Sequence, residues 1–117
     1  MNIIGSSIPI NNGTNLIINN LVDIKIKVVD SDNINIENAR VYITADTGGN
    51  LAQGTVIFNN LTNANGEIYI QFNYQGNQPI IIKVRKSSPP FTIYKHKKNI
   101  GIIQSNGYNN TLSMEYD

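Results

Sequence analysis

Apolar and polar side chains alternate along most of this chain. Residues 22–29 read VDIKIKVV, with Val or Ile at every second position and Asp or Lys between them. Because successive side chains of a strand point to opposite faces, this run predicts a half-buried β-strand. The same period returns in residues 39–45, ARVYITA, where we expect Val41 and Ile43 to point inward.

Turn residues separate these runs. Residues 30–33, DSDN, predict a turn after the first strand, and residues 63–66, NANG, predict another in which Gly66 supplies a positive φ. For the strand that follows Gly66, the sequence leaves two alternatives for the side chains that point into the core. One uses Ile68, Ile70 and Phe72, and the other uses Tyr69 and Tyr74.

The second half of the chain continues as strands. Three consecutive isoleucines at 80–82 predict a strand buried on both faces, and the prolines in SSPP at 87–90 prevent its continuation. Further short strands are expected at 92–95, 100–104 and 108–114. The whole pattern predicts an all-β fold, an antiparallel β-sandwich of seven to eight strands over residues 21–117, without a helix of two turns.

Residues 1–20 differ in their pattern from the rest of the chain. Their apolar residues include Ile3, Ile4, Ile8 and Ile10, interrupted by polar stretches such as GSS and NNGTN. Such a segment cannot build a core alone. It is either an edge hairpin of the same domain or an extended arm that docks on a neighbouring subunit.

Composition and charge narrow the range of partners. The 117 residues suit one domain, and the net charge of +1 creates no overall field, so we expect neither nucleic acid nor a membrane as partner. The absence of cysteine excludes disulfides and thiolate chemistry. The first residues do not have the pattern of a secretory signal, and no run is long enough for a membrane span.

Catalytic and metal-binding patterns are weak. His96 is the only histidine, and the carboxylates are scattered, so no enzymatic activity and no cofactor are expected. The DSDN turn has oxygen ligands at alternate positions, but Ile34 follows where a calcium loop needs another oxygen ligand. We therefore interpret it as a turn cap and predict no metal site.

Two groups of exposed residues remain as candidates for binding. Lys95, Lys97 and Lys98 would contact an acidic subunit surface or phosphate, together with Arg85 and Lys86 if these lie near them, unless the cluster is only a solvated basic turn. Three tyrosines, Tyr69, Tyr74 and Tyr94, would stack on a sugar if they shared an exposed face. Otherwise they belong to the core or cover a sheet edge.

Several of these motifs carry a family resemblance. The stretches VVDSD (28–32), NARVYI (38–43), LTNANGEIYI (61–70) and IKVRK (82–86) resemble the bacterial immunoglobulin-like modules called carboxypeptidase-regulatory-like or transthyretin-like domains. Asn63 stands where that family usually has Asp. The resemblance covers about residues 22–94 and implies an immunoglobulin-like sandwich, with no particular activity.

A narrower resemblance concerns the C-terminal third. VRKSS (84–88), Tyr94 and IGII (100–103) are similar to a pattern in immunoglobulin-like virion proteins of tailed bacteriophages. It implies a non-enzymatic structural protein of the virion, a decoration subunit of the capsid or an attachment protein, with major capsid, neck or tail subunits as partners and a homo-oligomer possible. The alternative is an adhesin-like or carbohydrate-binding module. The candidate interface residues are Ile3, Ile4, Ile8, Ile10, Arg85, Lys95, Lys97 and Lys98.

Overall fold

A computed structural model describes residues 20–88 and 92–116 of the chain. Seven strands of six or more residues and two very short ones follow one another within these ranges. They are β1 (Leu21–Asp30), β2 (Arg40–Ala45), β3 (Val56–Leu61), β4 (Glu67–Asn73), β5 (Gln78–Arg85), β6 (Ser87–Ser88), β7 (Thr92–Ile93), β8 (Lys97–Ile103) and β9 (Tyr108–Met114).

The seven longer strands form two sheets that pack as a β-sandwich. Sheet A has the order β9-β1-β4, sheet B has the order β3-β2-β5-β8, and β6 pairs with β7 in a small ribbon. This confirms the predicted all-β sandwich, and the described residues include no helix that could cross a membrane. Immunoglobulin-like domains share such an architecture without always sharing its strand order, and assignment to that type stays a prediction.

One strand pair departs from the antiparallel prediction. β9 runs parallel to β1, with Tyr108 opposite Ile24 and Met114 opposite Asp30. A hairpin would force neighbouring strands to be antiparallel, but these two strands are joined through the whole of sheet B. The long connection removes that constraint and places the first and last long strands side by side.

The core lies between the two sheets. Most strands supply alternate side chains to it, as the period of two predicts, and Ile24, Ile43, Ile82 and Ile103 are fully buried. In β3 the adjacent Ile57 and Phe58 both pack on the core, beside a register shift between β2 and β3. In β4 the face with Ile68, Ile70 and Phe72 packs on the core, whereas Tyr69 is 58% exposed, which decides between the two alternatives. The cluster also includes Ile26, Val28, Ile36, Ala39, Val41, Ile80, Val84, Leu112 and Met114.

The turn before β4 is held by two hydrogen-bonding side chains and by one glycine with a positive φ. The buried Thr62 hydroxyl donates to the Ile36 carbonyl (2.6 Å) and accepts from the Ala39 N–H (2.9 Å). Asn63 Oδ1 accepts from the backbone N–H groups of Asn65 and Glu67. Gly66 has φ +72°, as predicted, and a Cβ there would lie 2.6 Å from the Val28 carbonyl oxygen. This turn therefore fixes the loop between β1 and β2 against the start of β4.

Other predicted boundaries differ in detail. Ile80 and Ile82 are buried but Ile81 is half-buried, so β5 is covered completely on one face only. β5 ends at Arg85, before the Ser-Pro segment, as predicted, and β8 begins at Lys97, three residues before the predicted strand. The proposed arm or hairpin, with Ile3, Ile4, Ile8 and Ile10, lies outside the described residues.

Candidate interaction surface

The outer face of sheet B carries side chains that do not enter the core. Strand pairing arranges them in four rows across the sheet. The two rows nearer the start of β2 contain most of the cations, and we call them the basic rows. They are Leu61-Arg40-Arg85 and Asn59-Tyr42-Lys83-Lys98. The two remaining rows, which we call the aliphatic rows, are Val56-Thr44-Ile81-Ile100 and Pro79-Ile102.

Like charges face each other within the basic rows. Arg40 lies opposite Arg85 across β2 and β5, and Lys83 lies opposite Lys98 across β5 and β8. Directly opposed like charges destabilise a sheet, because their side chains are close neighbours on the same face. By register the free protein therefore has two like-charge pairs on one face, while the Arg40 guanidinium donates to Asn59 of β3 (2.8 Å), on the side of β2 away from Arg85.

The aliphatic rows expose large apolar side chains to solvent. Ile100 is 67% exposed, Val56 53% and Ile102 47%. Single exposed apolar residues are common on protein surfaces, but these three belong to adjacent rows of one sheet face. The outer face of sheet B thus has a basic half and an aliphatic half.

The basic rows border a groove of about 460 Å³, which we call the basic groove. Its lining includes five cations and, among the described residues, no carboxylate. The ion pairs of the described residues lie elsewhere, between Lys25 and Glu67 and between Lys95 and Glu115. The groove is lined by Arg40, Tyr42, Asn59, Lys83, Val84, Arg85, His96, Lys97 and Lys98.

β8 is an edge strand of sheet B. Within residues 20–88 and 92–116 it pairs along one side only, with β5. Its inner side is covered by Tyr108 of β9, whose hydroxyl accepts from the Asn99 and Asn110 side chains. The close approach of the Tyr108 ring leaves no space for a Cβ at Gly101. The open side of β8 adjoins Lys98, Ile100 and Ile102 of the outer face.

The structure brings together part of the predicted interface. Arg85, Lys97 and Lys98 line the basic groove, and Lys97 and Lys98 belong to β8 rather than to a solvated turn. Lys95 does not line the groove, because its ammonium lies 3.8 Å from the Glu115 carboxylate. His96 lines the groove beside these cations.

Sequence reasoning missed Arg40, Tyr42 and Lys83. Their outward direction could be read from the alternation in β2 and β5, since each lies between inward-facing neighbours. Their proximity could not, because it depends on the register of two strands some forty residues apart. Pairing of Tyr42 with Lys83 and of Arg40 with Arg85 assembles the basic rows.

The three candidate sugar-stacking tyrosines do not form a common platform. The hydroxyl of Tyr69 donates to Asp23, that of Tyr74 donates to Asn77, and Tyr94 stacks on Tyr116 with ring centroids 5.0 Å apart. A separate depression of about 360 Å³ lies near the loop after β2. It is lined by Phe72 and by amide side chains, namely Asn50, Gln71, Asn73, Gln75 and Gln78, together with Leu51, Thr55, Val56, Ile57 and Gly76.

The DSDN turn works as a cap, as interpreted from the sequence. Asp30 Oδ1 accepts from the backbone N–H groups of Asp32 (2.8 Å) and Ile34 (3.0 Å), and Oδ2 accepts from the Tyr116 hydroxyl (3.3 Å). The bond from Ile34 is the main cause that lowers the pKa of Asp30. Hydrogen bonding to Tyr94, with burial and the Asp30 charge, raises the pKa of Tyr116 to about 12.

The described residues contain no group of three or more His, Asp or Glu side chains placed to hold a metal ion. The chain matches no protein-family model, and no curated protein is significantly similar to it. The geometry of the outer face of sheet B is therefore the main basis for a functional proposal.

Proposed function

We propose that this protein is a non-enzymatic docking module that acts by surface contact with neighbouring subunits. The observation that carries the proposal is the outer face of sheet B, where exposed Ile100 and Ile102 lie beside the cations of the basic groove. Adjacent apolar and charged groups of this kind suit a protein surface, since one half gains from apolar burial and the other from charge complementarity.

The setting we propose is the virion of a tailed bacteriophage. The resemblance of residues 84–103 to immunoglobulin-like virion proteins supports it, as do the weak catalytic and metal-binding patterns of the sequence. There the sandwich would be a rigid decoration or attachment subunit bound to capsid, neck or tail proteins. Repeated copies on a symmetric particle raise the effective affinity of a weak contact.

Cosedimentation with particles tests this proposal. Particles assembled from the capsid proteins encoded beside this chain are mixed with the full-length protein and pelleted, and we expect the protein in the pellet at a fixed ratio to capsid subunits. The absence of capsid or portal genes beside its own gene, or a protein that stays in the supernatant, would contradict the virion role.

The N-terminal segment has its own test. Deletion of residues 1–20 removes the four isoleucines proposed for docking, Ile3, Ile4, Ile8 and Ile10. Weaker cosedimentation of the deletion variant is expected if they are an arm. Unchanged incorporation would remove the segment from the docking mechanism and leave the outer face of sheet B.

The second candidate function is carbohydrate binding. The depression lined by Phe72 and by the amide side chains of Asn50, Gln71, Asn73 and Gln75 favours it, since aromatic faces and amides provide the stacking and hydrogen bonds that sugars use. A glycan array separates the two functions. Saccharide binding that is lost in an Asn73→Ala variant, at an exposed position of the depression, would support the carbohydrate module, and a blank array would support the docking module.

A further inference from the structure

The basic groove and the open side of β8 adjoin each other on one surface. The groove contributes Lys98 from β8 and Lys83 and Arg85 from β5, and β8 also presents Ile100 and Ile102. An extended segment that paired with β8 would pass from the cations at one end of the strand to the isoleucines at the other. The strand thus offers backbone hydrogen bonds, charge and apolar contact along one line.

The repulsive pairs indicate the charge of the occupant. Arg40 with Arg85, and Lys83 with Lys98, are opposed in register, and none of these four cations forms an ion pair with a carboxylate among the described residues. An anionic partner would relieve this repulsion, so binding would gain from both attraction and the removal of strain between like charges. The complementary side chains are carboxylates placed against the basic half of the face.

The aliphatic rows favour an acidic polypeptide over a nucleic acid or a phosphate as the anionic ligand. A nucleic acid or a phosphate would use the cations but would leave Ile100, Ile102 and Val56 exposed beside it. A polypeptide segment with acidic residues at one end and apolar residues at the other covers both halves. Pairing with an edge strand also requires a polypeptide backbone, which only a protein partner supplies.

We infer that this surface binds an extended, acidic segment of a partner protein, which adds a strand to sheet B beside β8 and places carboxylates over the basic groove. The inference rests on the docking role proposed above and specifies its partner. Carboxylates contact Lys83, Arg85 and Lys98, and apolar side chains of the same segment pack on Ile100 and Ile102.

Binding of a model peptide tests the inference in the full-length protein. The probe is the synthetic peptide Glu-Thr-Glu-Thr-Val-Thr-Val-Thr, and the control peptide has Lys in place of both Glu residues. We expect amide shifts in β8 and in the basic rows with the acidic peptide only. We also expect slower hydrogen exchange of those β8 amides that do not bond β5, because backbone pairing protects them.

Two matched double variants identify the cations responsible. Lys83→Gln with Lys98→Gln should weaken peptide binding by tenfold or more without lowering the melting temperature, because one repulsive pair is removed. Lys25→Gln with Lys27→Gln changes the net charge by the same amount on sheet A and should leave binding within twofold. Equal losses in both variants would show a response to net charge alone and would overturn the proposed site.

If a different ligand occupies this surface, the same experiments give different results. Tighter binding of a dT oligonucleotide than of the acidic peptide would overturn the inference in favour of nucleic acid. Protection of the open side of β8 in the free protein, lost on deletion of residues 1–20, would assign the site to this chain's own segment. If the acidic peptide does not bind at all, the inference is also overturned.

The particle-binding experiment distinguishes failure of the inference from failure of the virion role. Unchanged particle binding by the Lys83/Lys98 variant would refute the inference and leave the virion role. Peptide binding without particle binding would refute the virion role and leave the inference.

Discussion

At the scale of single residues, the most unusual feature is the opposition of like charges on an exposed sheet face. Lys98 of β8 lies opposite Lys83 of β5, while on sheet A Lys27 lies opposite Glu67. Cross-strand charge pairs contribute about 0.2–1 kcal/mol, with a sign that follows the charges. The two sheets therefore provide one like-charge pair and one opposite-charge pair in register, and the Glu67 carboxylate also forms an ion pair with Lys25 (3.4 Å).

This contrast gives a prediction with a built-in control. Lys98→Glu converts the repulsive pair into an attractive one, and we expect the free energy of unfolding to rise by roughly 0.2–1 kcal/mol in urea titrations. Lys27→Glu places two carboxylates opposite each other and should lower it by a similar amount. A destabilising Lys98→Glu would mean that Lys98 already has a stabilising role in the free protein.

The lowered pKa of Asp30 predicts how the stability of the folded protein changes at acid pH. This pKa is lowered from 3.8 chiefly by the hydrogen bond from the Ile34 N–H, so the folded state favours the carboxylate. The stabilisation is present above the unfolded pKa and is lost as the pH falls through the lower, folded pKa. Thermal melts from pH 5 downward should therefore show a smaller acid-induced loss in Asp30→Asn than in the unmodified protein. Asp32→Asn, at an exposed neighbour, should keep the original slope.

At the scale of elements, the turn before β4 is the point where separate segments are fastened together. The buried Thr62 hydroxyl bonds to two residues in the second half of the loop between β1 and β2, Ile36 and Ala39. A buried hydrogen-bonding group that loses its partner costs about 1–3 kcal/mol. This single hydroxyl therefore supports a connection between the two sheets.

Thr62→Val should lower the free energy of unfolding by about 1–3 kcal/mol, because the Ala39 N–H and the Ile36 carbonyl lose their partner while the side-chain shape is kept. Denaturant unfolding measures the change. Thr55→Val is the matched control, since the Thr55 hydroxyl bonds to the Ala52 carbonyl at an exposed position. If the two variants lost equal stability, burial at Thr62 would not be the cause.

The same elements show how far the sequence predicts the structure. Alternation predicted the inward faces of β1 and β2, and turn chemistry predicted Gly66, because each depends on neighbouring residues. The parallel pairing of β1 with β9 was not predicted, because no local signal encodes contact between strands eighty residues apart. The basic groove was found only in part for the same reason, since Lys83 meets Lys98 through strand register.

At the scale of the whole molecule, charge is distributed unevenly between the two sheets. Lys25 on sheet A pairs with Glu67, whereas five of the nine Lys and Arg residues of the chain line one groove at sheet B. The net charge of +1 therefore understates the local field. The expectation from the sequence that charge creates no overall field concerns the total charge and does not describe this face.

The uneven distribution predicts behaviour that net charge does not. On a cation-exchange column at pH 7 and low salt, the protein should be retained more strongly than its net charge of +1 suggests. The reason is that the resin binds the local cluster of cations on sheet B, whatever the net charge of the whole protein. Retention should disappear by roughly 0.1–0.2 M salt, where the screening length is about 8–10 Å. Lys83→Gln with Lys98→Gln and Lys25→Gln with Lys27→Gln each lower the net charge by two, yet only the first pair should abolish retention. Equal effects of the two pairs would mean that the cations of sheet B do not act as one surface.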